Sequence, residues 1–335
     1  MTSIAARTHG GTDAHGPVRW DFSSNANACG PCPIVVEALR AVDAIRYPDP
    51  SYGALRRILA QWHGVEPGRI LIGGSASEWI QRLTACAWRH GIRSVWWPTH
   101  AYGDYAHAAA AWGMRRALEP GTAGLAWLCE PSSPLGDNES STAVAVVVDS
   151  GSAWTVLDCA YQPLRLSGQP TLTPAQQARC WQLWSPNKAL GLTGVRAAYL
   201  IVPEGEQGMV QALEALAPSW PVGSHGVALL QHWTMPEVQQ WLRDSLPTLQ
   251  RWKDELVRSL VAHGWDCRPS HTPYFCARPP APLSAQALRR HDIKLRDATS
   301  FGLPGRWRLS AQPDAARHAL LRALEASVPN TQEQA

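Results

Sequence analysis

Charged side chains are scarce in this sequence. They make up 17% of its 335 residues while 45% are apolar, against roughly 25% charged in ordinary globular proteins, which excludes a disordered or charge-extended chain. An excess of one sign is missing too: 30 Lys and Arg stand against 27 Asp and Glu, a net charge of +3. With no basic run either, nothing here forms an electrostatic footprint for nucleic acid. Long apolar runs are absent. Stretches such as 106–112 and 143–148 fall far short of the roughly 20 residues of a membrane span, and the opening MTSIAARTHGGTDAHG lacks the apolar segment of a secretory signal. Neither secretion nor membrane insertion is expected. Eight cysteines in a chain of this length do not have the density of a disulfide scaffold, and reduced thiols in a cytoplasm suit them best. Cys29 and Cys32 form a CxxC, but set among prolines and without a second pair they read as structural thiols ahead of a zinc or redox site, so no metal is expected. Small-molecule chemistry is what remains.

At 36.6 kDa one large domain plus a smaller one is expected: an arm over 1–30, a large domain over 31–235 and a small domain over 236–330. The arm is rich in Gly, His, Asn and Pro, and its order would need a partner surface. Apolar spacing of three and four predicts helices from Pro33, over Tyr52–Trp62, Ser77–Arg89 and Tyr102–Trp112. Short apolar runs between them predict strands at 69–73, 94–97, 125–129, 143–148, 154–158, 180–184 and 197–202, and this alternation implies a mostly parallel sheet covered on both faces. Beyond Pro218 come helical stretches at Val222–Leu242, broken at Pro236, and Leu246–His263. Strand-like pieces follow at 274–278, 293–297 and 306–311, with a closing helix from Pro313 to Ala326. No internal repeat or low-complexity segment is visible. The 17 tryptophans read as core packing before ligand stacking.

Four segments carry chemistry. GGSASE (73–78) stands between a strand and a helix, where backbone N–H groups and the helix dipole can hold a phosphate. LDCAY (157–161) puts Asp158 at the C-terminal end of an apolar strand, where open α/β sheets place ligands, although a turn or helix cap is an equal alternative. SPNKALGLTGVR (185–196) brings together a Ser, a Lys able to form an imine, and an Arg; a solvated lysine is the ordinary alternative. GRWRLS (305–310) offers Arg308 as a bidentate clamp for a carboxylate, with a surface arginine as its alternative.

Taken together these segments resemble the aspartate-aminotransferase-type, fold type I enzymes that use pyridoxal 5′-phosphate, over almost the whole chain from His9 to the final helix. The resemblance implies a three-layer α/β/α large domain with a mostly parallel sheet, plus a smaller C-terminal α+β domain. It implies that Lys188 forms the imine with the cofactor and that Ser185, Arg196, Ala76 and Ser77 bind its phosphate. Asp158 would face the pyridinium nitrogen, Tyr161 would approach the 3′-oxygen, and Tyr102 would stack on the ring. A carboxylate at that nitrogen keeps it protonated, and the cationic ring accepts the electron pair left at the substrate Cα.

Within that class, HGG (9–11), DFSSNANACGP (21–31), RYPDPSYGALRRILA (46–60) and SFGLPGRWRLS (300–310) resemble the branch holding threonine-phosphate decarboxylase and the histidinol-phosphate aminotransferases. The resemblance implies that Tyr47 reaches the cofactor phosphate of a neighbouring subunit, hence a homodimer with shared active sites. It further implies that Arg308 binds the substrate carboxylate and that His9 and Asn25 lie near the substrate, His9 at its phosphate. HGG followed by DFSSN stands nearer the decarboxylase, which forms (R)-1-amino-2-propanol O-2-phosphate for cobalamin synthesis. An aminotransferase acting on histidinol phosphate or a related amino acid is the alternative. The small-molecule partner is thus an amino acid or amino acid phosphate. Two departures stand out: EPSSPLG (130–136) replaces the branch's NPNNPTG, so Ser133 stands where an asparagine donates to the 3′-oxygen, and Gly73-Gly74 replaces the usual Gly-Asn. Loss of the asparagine implies reduced or shifted activity, or a non-catalytic cofactor-binding homologue.

Overall fold

The chain is seen here as a computed structural model that describes residues 9–151 and 154–326. Residues 1–8 of the expected arm and 327–330 of the expected small domain lie outside the described residues. β1 (Trp20–Asp21), α1 (Pro33–Arg40) and α2 (Gly53–His63) come first. The expected alternation follows: β2 (Ile70–Gly73), α3 (Ala76–Arg89), β3 (Ser94–Trp96), α4 (Gly103–Ala111), β4 (Arg115–Arg116), β5 (Leu125–Cys129), α5 (Ser141–Val144), β6 (Trp154–Asp158), α6 (Pro174–Ala178), β7 (Trp181–Trp184) and β8 (Ala198–Ile201). Seven of these strands form one sheet in the order β2-β8-β7-β6-β5-β3-β4, parallel throughout except for β8, which runs against both neighbours. Alternate residues feed opposite cores. Ile70 and Ile72 pack with Leu55 and Leu59 of α2, whereas Leu71 turns to Trp79 and Leu83 of α3. Burial on both faces is why these strands read as unbroken apolar runs.

The remaining elements are α7 (Val210–Glu214), α8 (Ser224–Trp233), α9 (Pro236–Ala262), β9 (Asp266–Cys267), β10 (Tyr274–Arg278), α10 (Ala285–Arg290), β11 (Ile293–Lys294), β12 (Arg296–Asp297), β13 (Trp307–Ser310) and α11 (Asp314–Ala326). A separate four-stranded antiparallel sheet has the order β12-β13-β10-β9. Its core joins Phe275 and Leu309 to Leu320 of α11. Helix α9 serves both bodies: Val238, Leu242 and Leu249 belong to the large core, Leu256 and Leu260 to the small one. The result is a three-layer α/β/α body carrying a smaller α+β one. No helix among the described residues is long and apolar enough to cross a membrane.

Three expectations need correction. The run AVAVVV (143–148) is helical, α5 continuing into a π-helical turn over Ala145–Asp149. Its buried members, Ala143, Val144, Val147 and Val148, recur with a helical period, masked in the sequence because the exposed positions are apolar as well. The break expected in the region of Pro236 is real, but α9 then runs unbroken through Pro247. That proline sits on the solvent side, where water can satisfy the carbonyl it leaves unbonded, while Leu242 and Leu249 hold the opposite face in the core. Residues 9–30 find their surface on their own chain: β1 pairs in parallel with β11, Phe22 is fully buried, and Asp13 bridges Arg289 and Lys294 at 2.9 and 2.7 Å.

Candidate active site

Parallel strands β5, β6 and β7 end side by side, and their C-terminal ends open into a cavity of 630 Å³ between the two bodies. Cys129 and Asp158 are register partners at the ends of β5 and β6, and Ser185 follows β7 directly. Asp158 is buried at the cavity floor. Its Oδ1 accepts the Ala160 N–H at 3.0 Å and its Oδ2 the Tyr105 hydroxyl at 2.8 Å. Burial raises its pKa, opposed by the charge of Lys188 and by those two hydrogen bonds.

Lys188 lies on the loop between β7 and β8, half-buried, with Nζ 4.9 Å from the centre of the Tyr161 ring. The sequence contains three lysines. Lys253 donates to the Ser270 carbonyl and Lys294 is paired with Asp13; the Lys188 amine makes no hydrogen bond or ion pair among the described residues. Its loop is clamped by residues at the junction of the arm and the large domain, where Asn27 N–H donates to the Lys188 carbonyl at 2.9 Å and Cys32 N–H to that of Leu190 at 2.9 Å. Gly191 permits this approach: it has φ +69°, and a Cβ there would stand 3.0 Å from the Gly30 Cα.

Ala76 and Ser77 open α3 and face the cavity; Tyr102 caps α4 from the same wall, its hydroxyl 3.2 Å from the Ser77 hydroxyl and its pKa raised mainly by burial. Ser185 and Arg196 line the cavity as well, and the Ser185 hydroxyl is buried without a hydrogen-bond partner among the described residues. Asn25 is buried and donates to the Tyr161 hydroxyl at 3.2 Å, and its own carbonyl oxygen has no partner among the described residues. Arg308, on β13, reaches in from the small sheet and donates to the Ser23 carbonyl at 3.0 Å and to the Ser133 hydroxyl at 3.4 Å. His9 forms the rim, its ring 6.3 Å from that of Tyr102. Of the residues predicted from sequence, Tyr47 alone is absent from this cavity; it is 77% exposed and stacks on Trp220 at 4.4 Å. At Gly74, the second departure from the usual spelling, a Cβ would stand 2.8 Å from the Pro221 carbonyl, so this turn leaves no room for a side chain.

These groups suit pyridoxal phosphate. The hydroxyl of Ser185, the Arg196 guanidinium and the start of α3, all lining the cavity, are donors of the kind a phosphate needs; the buried Asp158 carboxylate is the anion a cationic ring nitrogen needs, and the Lys188 amine lines the same cavity. Sequence reading missed Tyr105, Arg296 and Phe301. Tyr105 lies three residues beyond Tyr102, the spacing that puts two side chains on one side of a helix, and its ring stacks on Trp127 at 4.8 Å. Arg296 is the register partner of Arg308 on β12, and both line the cavity. That pairing joins strands separated by a turn and has no local signature.

Comparison with known proteins agrees with this geometry. The family profile for aminotransferase class I and II matches residues 19–326. A histidinol-phosphate aminotransferase of Jannaschia sp. (strain CCS1) is 26% identical over 337 residues, covering 92% of this chain and 91% of the relative. Among solved structures, the histidinol-phosphate aminotransferase of Sinorhizobium meliloti in complex with pyridoxal-5′-phosphate superposes with TM-score 0.77 at 21% identity, over 93% of this chain and 91% of that one. The L-threonine-O-3-phosphate decarboxylase of Porphyromonas gingivalis superposes with TM-score 0.73 at 21% identity, over 87% and 93%. The chain belongs to the class I and II aminotransferase family of pyridoxal-phosphate-dependent enzymes.

Proposed function

We propose that the protein decarboxylates L-threonine O-3-phosphate, giving (R)-1-amino-2-propanol O-2-phosphate. The observation that carries this reading is the pair of neighbouring arginines, Arg296 and Arg308, both lining the cavity: two guanidiniums suit a substrate that carries a carboxylate and a phosphate. Bound pyridoxal phosphate supplies the electron sink for the pair left at Cα. Ser185, Arg196 and the start of α3 at Ala76 and Ser77 would hold its phosphate, and Asp158 would keep a proton at its ring nitrogen. Tyr161, to which Asn25 donates, and Ser133, to which Arg308 donates, would offer hydroxyls to its ring oxygen, and Tyr102 would pack against the ring. Arg308 binds the carboxylate and Arg296 and His9 the substrate phosphate, which orients the bond to be cleaved. That bond would break with loss of carbon dioxide, and Lys188, its amine freed once the substrate's amino group has replaced it, would carry a proton to Cα.

The second reading is amino transfer, favoured by the histidinol-phosphate aminotransferases among the relatives. It needs no carboxylate on histidinol phosphate, whereas its glutamate partner would occupy both arginines. Incubating the holoenzyme with L-threonine phosphate, and separately with histidinol phosphate plus 2-oxoglutarate, separates the two. Carbon dioxide released without consumption of keto acid supports decarboxylation; glutamate formed without carbon dioxide supports transfer. Normal cofactor binding with neither product contradicts both. We also infer a homodimer in which Tyr47 serves the neighbouring site, because this exposed tyrosine and Trp220 stack at a surface that also bears Ile45, 93% exposed.

A further inference from the structure

Arg296 and Arg308 stand next to one another as register partners on β12 and β13, an arrangement that like charges resist. Burial, and after it the charge of Arg308, pulls the Arg296 pKa down to about 10, so the guanidinium remains protonated at neutral pH. Phe301 lies against both. The guanidinium carbon of Arg296 is 4.7 Å from the centre of its ring and that of Arg308 is 5.5 Å from it. Tyr274 stands 5.7 Å from Arg308 and meets Tyr161 edge-on at 4.7 Å, and Tyr161 in turn carries the Lys188 amine. Both guanidiniums of the cavity wall thus lie against the Phe301 ring, and Arg308 lies near the Tyr274 ring as well. A ring face attracts a cation through its quadrupole without supplying a negative charge. Arg296 also donates to the Asp297 carbonyl and, at 2.7 Å, to the Ser300 hydroxyl, and Arg308 to the Ser23 carbonyl and the Ser133 hydroxyl, acceptors that carry no charge.

Phe301 is itself fixed from two directions. It closes the turn Thr299–Phe301, which Asp297 caps by accepting from the Thr299 N–H at 2.8 Å and hydroxyl at 2.6 Å. Its carbonyl accepts a hydrogen bond of 2.8 Å from Nδ1 of His100, a residue of the large body. The ring is buried at the cavity wall.

We propose that Phe301 is a positioning residue: its ring holds Arg296 and Arg308 together so that they jointly grip a substrate bearing two anionic groups. This rests on the two-anion reading of the substrate given above. The test compares Phe301→Leu, which keeps apolar bulk but loses the ring face, with Phe301→Tyr, which keeps it. Both are titrated as holoenzymes with L-threonine O-3-phosphate and with L-threonine, which lacks the phosphate. Phe301→Leu should weaken binding of the phosphorylated amino acid by about tenfold, the scale of a desolvated cation–π contact. Binding of L-threonine should change much less, that of pyridoxal phosphate should be unaltered, and Phe301→Tyr should match the parent. Equal weakening of both amino acids by Phe301→Leu, or no weakening of either, overturns the proposal, since a simple packing defect would not discriminate by charge. If the parent protein binds L-threonine phosphate no better than L-threonine, the two-anion reading fails first and the role of Phe301 falls with it.

Discussion

Asp158 pays for its burial with two hydrogen bonds, and the one from Tyr105 is the only side-chain donor it has among the described residues. A buried hydrogen bond to a charged group contributes about 1.5–3 kcal/mol, so Tyr105→Phe should raise the dissociation constant for pyridoxal phosphate by roughly tenfold or more. Stacking on Trp127 is kept in that variant. The measurement is cofactor titration in a double-mutant cycle with Asp158→Asn: the effect of Tyr105→Phe should vanish once the carboxylate has been replaced, and its persistence there would show that Tyr105 does not act through Asp158. Lys188, Asp158 and Arg308 were legible in the sequence because each sits in a short motif whose chemistry is local. Tyr105 and Phe301 were not, because an aromatic residue beside an apolar run looks the same whether it fills a core or holds a charge.

The loop after β5 illustrates how one element ties the two bodies together. Its base is fixed where Glu139 accepts the Cys129 N–H at 2.8 Å and Glu130 meets Arg165 at 3.3 Å. Its far side meets the small sheet, with the Tyr274 hydroxyl donating to the Ser132 carbonyl at 2.7 Å and Arg268 pairing with Asp137 at 2.9 Å. The Glu139 carboxyl is pushed up to about 7, chiefly by burial, with the charge of Glu130 adding to it. The folded state therefore prefers the protonated acid; that preference stabilises fully below the ordinary glutamate range and is lost as pH rises through about 7. Glu139→Gln should accordingly raise the melting temperature relative to the parent above pH 7, by the equivalent of about 3 kcal/mol, and leave it nearly unchanged in mild acid. A difference independent of pH would contradict this. Gly191 makes a second element-scale case. Gly191→Ala puts a side chain at φ +69° against Gly30, at a cost of about 1–3 kcal/mol, and should lower both melting temperature and cofactor affinity by displacing the loop of Lys188. At this scale the alternation of strand and helix was legible from hydrophobic period, whereas the run 143–148 was not, because a helix whose exposed face is also apolar has no readable period.

At the scale of the whole molecule, the arm, the large sheet and the small sheet each contribute to one cavity, and no single segment contains it. Its walls come from residues as distant as His9 and Arg308, which is why motif spelling found most of the site while the pairing of Arg296 with Arg308 emerged only from strand register. The exposed surface of Ile45, Tyr47 and Trp220 belongs to this scale as well. Sedimentation equilibrium should give twice the chain mass of 36.6 kDa, and a mass of one chain would contradict the homodimer. The central claim is that the cavity holds pyridoxal phosphate on one particular lysine of the three. Borohydride reduction of the holoenzyme followed by peptide mass spectrometry tests it most directly. The reduced pyridoxyl group should be found on the peptide containing Lys188; its recovery on Lys253 or Lys294, or its absence from all three, would contradict the account.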